Sequence, residues 1–378
     1  MLLAIGESDG TVRLYNPVTG QQFSGPLSQT AKAKAMAPVP LPDGRVLLAT
    51  GGSDGAVRLW EPTISSPVGD PLIGHTGRVT AVAAVPASNG RRLLATGGVD
   101  AKIRLWDPVT GRHLGATLIG HTGWVRAIAA LPLPSGRALL ASGSVDETVR
   151  LWDPLTGHQI GKPFTGHTEA VTALAAVPLA NGHVLLASGS LDASVRLWDP
   201  TIGRPFGNPL TGHTDSVNAI AALPLSNGRA LLASGSVDET VRLWDPDTGQ
   251  QIGGPLTGHT DSVNAVAAVP LPEGRMLLAT GSNDKSVRLW DPSTGEQVGN
   301  LLTGHIGPVL AVTPVPLPNG RVLLATAGDD NTIRLWDPIT RQQHKSVPVH
   351  VNALTCVGAD HLAVAIDDTI GVISLGLS

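Results

Sequence analysis

The chain has one cysteine, one tyrosine and three phenylalanines in 378 residues, and aromatic side chains make up only 3% of it. Its core must therefore be built from smaller side chains. With Cys356 alone no internal disulfide forms, and neither a Cys-x-x-Cys nor a close-spaced histidine pair offers a metal site. Glycine-rich phosphate loops of recognised type are also missing, so no cofactor is expected. Charged residues are sparse at 15%, and the net charge is -4. That balance provides no basic field for nucleic acid and no polybasic segment for an anionic membrane. Apolar runs stay far short of the 18 or so residues a membrane span needs. The opening residues Met1 to Gly6 are too short and too poor in basic residues for a secretory leader. These absences together favour a soluble, cytoplasmic monomer.

What is present is a beat. Tryptophans stand at Trp60, Trp106, Trp152, Trp198, Trp244, Trp290 and Trp336, each 46 residues after the last and each preceded by Arg-Leu. An acid and a proline follow every one. Gly-His recurs in phase at His75, His121, His167, His213, His259 and His305, 31 residues before its tryptophan. The stretch Ala138 to Pro154 repeats without change at Ala230 to Pro246. A fixed period of this size marks stacked copies of one supersecondary unit. The 45 glycines and 30 prolines fall in phase between short apolar runs, as turn punctuation. Within one unit, alternation and turn residues predict four strands: a at Val125 to Leu131, b at Arg137 to Gly143, c at Thr148 to Asp153 and d at His158 to Phe164.

Gly-His at one end, Trp-Asp at the other and Ser-Gly-Ser-x-Asp between resemble the WD-repeat β-propeller family over nearly the whole chain. The resemblance implies an all-β, closed propeller of four-stranded antiparallel blades. It also implies a hydrogen-bonded tetrad in each blade, complete here in six units. These are His75, Thr96, Asp100 and Trp106; His121, Ser142, Asp146 and Trp152; His167, Ser188, Asp192 and Trp198; His213, Ser234, Asp238 and Trp244; His259, Thr280, Asp284 and Trp290; and His305, Thr326, Asp330 and Trp336. Indole donates only, carboxylate accepts only, and imidazole and hydroxyl do both, so the four types satisfy one another when buried. Serine, histidine and aspartate together suggest a catalytic triad. Six equivalent copies around a ring argue instead for a structural device, and no enzyme is expected.

The ends depart from the pattern. Residues 29–348 hold seven full repeats, the first with Gln29 in place of histidine beside Thr50, Asp54 and Trp60. Residues 1–28 read as a partial N-terminal blade with Tyr15 where tryptophan belongs, and residues 349–378 as a degenerate closing blade. The whole chain, 1–378, is then one propeller. Eight blades is the expected count, with seven and nine as alternatives, and Gln21 to Leu27 is expected to complete the blade of His350 to Leu375. A beginning in mid-blade also suits a sensor or regulatory propeller detached from a larger signalling NTPase or kinase.

Function on such a fold lives on its surface. The units differ most on the face carrying the Gly-His loop and the b-to-c turn, here called the top. Lys32, Arg78, Trp124 and Arg126 make one sector basic, and Glu169, Asp215 and Asp261 make another acidic, with Glu147 and Glu239 adding to it. Thr80, Arg126, Thr172, Asn218, Asn264 and Leu310, with Lys34 and Thr355, are expected to face the central channel by strand alternation. The function expected is a noncatalytic scaffold docking protein or peptide partners on this face, with Trp124 as apolar anchor. A propeller enzyme or glycan binder is the less favoured reading, because Trp124 is the one candidate exposed aromatic. On the opposite face Arg45, Arg91, Arg137, Arg229, Arg275 and Arg321 stand across from the Asp-Pro acids, as ordinary loop pairing.

Overall fold

A computed structural model of the protein describes residues 3–6, 11–15, 22–28, 33–41, 43, 46–61, 66–67, 70–86, 92–225, 228–316, 320–330, 332–348, 353–358, 361–366 and 369–374. Apart from one short 3-10 turn at Pro272–Gly274, every regular element among them is a β-strand. In the third unit the strands run Val125–Pro132, Ala138–Ser144, Val149–Trp152 and Gln159–Phe164, within about a residue of the periodicity's prediction. They pair antiparallel in chain order. The other six units repeat the a-b-c meander; in some the outer strand is reduced to a few bridges, such as Val287 with Leu302.

The sheets are not hydrogen-bonded to one another through their ladders; they meet face to face. Innermost strands follow in order, Ala33–Pro40 beside Val79–Pro86 and so on to Val309–Pro316. Val309–Pro316 also lies beside Ala353–Gly358, which in turn lies beside Ala33–Pro40. Each apolar cluster straddles two units: Val177, Leu197 and Leu210 of the fourth pack with Leu232 and Trp244 of the fifth. Phe164 stacks on Trp198 of the next unit, with centroids 4.9 Å apart. A blade's tryptophan is therefore sealed by its predecessor.

One contact sets the spacing between blades. A Cβ on strand-b Gly97, Gly143, Gly189, Gly235 or Gly281 would lie 2.5 to 2.8 Å from Cγ1 of a valine on the next unit's strand a, and Gly51 meets Val79 in the same way. Only glycine leaves room for that valine. This is why Gly recurs in the middle of Ser-Gly-Ser, a position at which its cost to a strand would otherwise select against it. The seventh unit carries Ala327 there, fully buried and opposite Ala311.

The closure expected of Gln21 to Leu27 with the blade of His350 to Leu375 is not what the strands do. Gln22–Ser28 pairs with Thr11–Tyr15, and that strand with Leu3–Gly6, in a three-stranded sheet of their own. Gln22–Ser28 is thus not the hydrogen-bonded fourth strand of Thr369–Ser374; pairing between strands adjacent in sequence prevails over the longer closure. This sheet packs beside Thr369–Ser374.

Candidate functional site

The tetrad residues come together in all six units. Trp152 Nε1 donates to Ser142 Oγ at 2.8 Å, Ser142 Oγ meets His121 Nε2 at 2.8 Å, and His121 Nδ1 meets Asp146 at 2.8 Å. The same relay joins Trp198, Ser188, His167 and Asp192, and Trp244, Ser234, His213 and Asp238. Threonine replaces serine in the relays of Trp290, Thr280, His259 and Asp284, and of Trp336, Thr326, His305 and Asp330. In the second unit Trp106, Thr96, His75 and Asp100 are joined at 2.9 to 3.0 Å. Each hydroxyl-bearing residue is fully buried beneath its indole, which leaves no approach for a substrate. In the first unit Trp60 donates to Thr50 at 3.1 Å and Asp54 pairs with Arg58, while Gln29 lies outside the described residues.

A fifth member escaped the sequence reading. Thr148, Ser194, Thr240, Ser286 and Thr332 donate to their tetrad aspartates at 2.6 to 2.7 Å. Ala56 and Lys102 hold this position in the first two units, and there the strand-c arginine turns to the acid instead: Arg58 to Asp54 at 2.7 Å and Arg104 to Asp100 at 2.9 Å. In four of the other units that arginine reaches a glutamine nine residues on, as Arg150 does Gln159 at 2.7 Å, whereas the fourth unit has Pro205 there. The signal was the switch from Ser or Thr to Ala or Lys two residues after the aspartate.

Electrostatics follow from this packing. Burial holds His75, His167, His213 and His305 below the usual imidazole range, although their aspartates work the other way. Burial by itself would raise the Asp146 and Asp284 carboxyls, but histidine and hydroxyl hydrogen bonds outweigh it and hold both far below the usual range.

On the top face Trp124 is 48% exposed, whereas each of the seven periodic tryptophans is exposed by 3% or less. Arg78 of the preceding unit places its guanidinium 5.6 Å from the Trp124 ring centroid. Val145, 40% exposed, donates its backbone N–H to the Trp124 carbonyl at 2.9 Å. Arg126 is exposed; neither it nor Arg78 makes an ion pair among the described residues. Glu169, Asp215 and Asp261 are exposed too, and their carbonyls accept from Ser190, Ser236 and Ser282 at 2.8 to 3.0 Å, which fixes their loops. Asp215 and Asp261 also cap the N–H of the following serine. Lys32 lies outside the described residues, as do the side chains of Lys34 and Thr355. Three of the expected channel residues reach sideways: Thr80 to the Val125 carbonyl at 2.5 Å, Thr172 to that of Val217 at 2.5 Å and Asn264 to that of Val309 at 3.1 Å. They staple neighbouring blades.

On the bottom face three of the four described loop arginines are paired, while Arg275 makes no ion pair among the described residues. Arg137, Arg229 and Arg321 meet Asp153, Asp245 and Asp337 at 2.5 to 2.9 Å. Arg45 and Arg91 lie outside the described residues. The aspartate after tryptophan also shapes the backbone. Asp153 accepts from Leu155 N through its side chain and from Gly157 N through its carbonyl, closing the turn to strand d. Among the described residues no group of three acids, histidines or cysteines is placed to hold a metal ion, and no helix is long and apolar enough to cross a membrane.

The WD40 family, described as WD domain, G-beta repeat, matches residues 29–61, 66–107, 112–153, 157–199, 204–245, 250–291 and 295–337. The chain belongs to this family, whose members are typically noncatalytic and mediate protein-protein interactions. Comparison with curated proteins finds no match. A crystal structure of the computationally designed Ika8 protein is similar with a TM-score of 0.74 and 24% identity, over 91% of this chain and 96% of that one. That likeness supports the propeller fold and concerns the fold alone.

Proposed function

We propose that the protein is a noncatalytic scaffold whose top face docks a protein or peptide partner. The observation that carries the reading is Trp124. Seven tryptophans are sealed between blades, and the eighth stands half in solvent, with a guanidinium over its ring that makes no ion pair among the described residues. Tryptophan and arginine are among the residue types most enriched at binding hot spots. Arg78 and Arg126, on either side of the apolar anchor Trp124 in sequence, form the basic half of the surface, and Glu169, Asp215 and Asp261 the acidic half. The six tetrads are structural. We take residues 1–378 as one monomeric, cytoplasmic propeller of eight blades, a count supported by the sequence of neighbours that leads from Val309–Pro316 through Ala353–Gly358 back to Ala33–Pro40.

The test is a crosslinking pull-down from native lysate, comparing the parent chain with a folded Trp124→Ala, Asp215→Lys, Asp261→Lys variant by mass spectrometry. A partner captured by the parent and lost by the variant is the expected result. Partners retained in full by the variant would move the docking surface elsewhere.

A further inference from the structure

We propose that the top face takes a mixed-charge peptide segment, with a carboxylate and an adjacent aliphatic residue at Trp124 and a basic residue over Glu169, Asp215 and Asp261. This rests on the scaffold reading above and adds the partner's chemistry. The Arg78 guanidinium lies over the Trp124 ring. A guanidinium over an aromatic ring keeps N–H donors for a planar acceptor when none is taken by an ion pair, and a carboxylate matches its fork with two parallel hydrogen bonds. Arg126 adds a second cation without an ion pair among the described residues. Half-exposed Trp124 and exposed Val145 supply the apolar surface beside these charges, so the acid's neighbour is aliphatic rather than polar.

The same face limits how acidic the segment can be. Glu147 is exposed on the turn that carries Val145, and Glu169, Asp215 and Asp261 follow on the next three units. A uniformly acidic strand or a polyphosphate that satisfied the arginines would run into this arc, where like charges are repelled. A uniformly basic segment would meet Arg78 and Arg126 at the other end. Only a segment that changes sign along its length matches both sectors.

Three fluorescein-labelled peptides test this by anisotropy on the intact chain: Asp-Glu-Leu-Gly-Ser-Lys-Arg, and versions with both ends acidic or both ends basic. The expected result is that the mixed peptide binds at least about tenfold more tightly than either control, and more weakly as salt is raised. An Arg78→Ala variant should lose about tenfold, and Asp215→Lys with Asp261→Lys should shift the preference to the all-acidic peptide. With unlabelled mixed peptide, iodide quenching of tryptophan emission should fall, because Trp124 alone among the eight tryptophans is open to the quencher. Equal binding of the three peptides, or binding unchanged by Arg78→Ala, overturns the proposal. If that happens while the lysate experiment still captures a Trp124-dependent partner, the scaffold reading stands and only the charge order is wrong. Failure of both removes both.

Discussion

Ser188 receives the indole N–H of Trp198 and meets Nε2 of His167, all three residues buried, so this one hydroxyl serves two side-chain nitrogens that have no other partner. A buried donor or acceptor left unpaired costs about 1–3 kcal/mol. Ser188→Ala is therefore expected to destabilise by roughly 2–4 kcal/mol, since two groups lose their partner. Urea unfolding followed by circular dichroism measures it. Arg137→Ala should by contrast stay within about 0.5 kcal/mol of the parent, because its pair with Asp153 is half in solvent. The tetrad positions were legible in the sequence because each recurs at a fixed place in every copy. The helper hydroxyls of Thr148 and its equivalents were not recognised, since Ser and Thr are also ordinary strand and turn residues. Their role became visible only through the bond lengths to the aspartates.

At the scale of the strand, the glycine-to-valine seat between neighbouring blades explains more of the packing than any single core side chain. A Cβ at position 143 would lie 2.5 Å from Val171 Cγ1, so Gly143→Ala must push the fourth blade outward or force a rotamer change. Overpacking of this kind costs about 1–3 kcal/mol. Adding Val171→Ala to the same chain should recover part of the loss, and a double-mutant cycle in urea would show the coupling. An additive pair would mean that the two side chains do not share this space. The four strands of the third unit fall within about a residue of the expectation, because apolar alternation and Pro or Gly turns mark both ends. The partner of Gln22–Ser28 was not anticipated, because a strand's own pattern says that it will pair and is silent on which edge it will take.

For the molecule as a whole, acid is the expected weakness. His75, His167, His213 and His305 have folded values below their ordinary 6.5, so below that pH the unfolded chain binds protons that the folded one refuses. The stability they contribute is present in full above 6.5 and is lost as the pH falls below it. The aspartates Asp100, Asp192, Asp238 and Asp330 act in the same sense lower down, since their folded values lie beneath 3.8. The urea midpoint should change little from about pH 9 to 7 and fall steadily from about pH 6.5 to 5. A flat profile across the lower range would show that the imidazoles titrate freely in the fold. The repeat architecture was readable from tryptophan spacing alone, whereas the seat of Arg78 over Trp124 of the next unit needed the neighbouring units in three dimensions.

Ala327 gives the series a polarity that its near-identical copies hide. In six units a missing side chain makes a socket and the next unit's valine is the plug, so any such unit can be followed by any other, and repeats of this kind are free to multiply by duplication. The seventh unit has its socket already filled by a methyl group. The blade that follows, opening with Ala353–Gly358, therefore meets a seventh unit without that socket, and this junction differs in kind from the six before it.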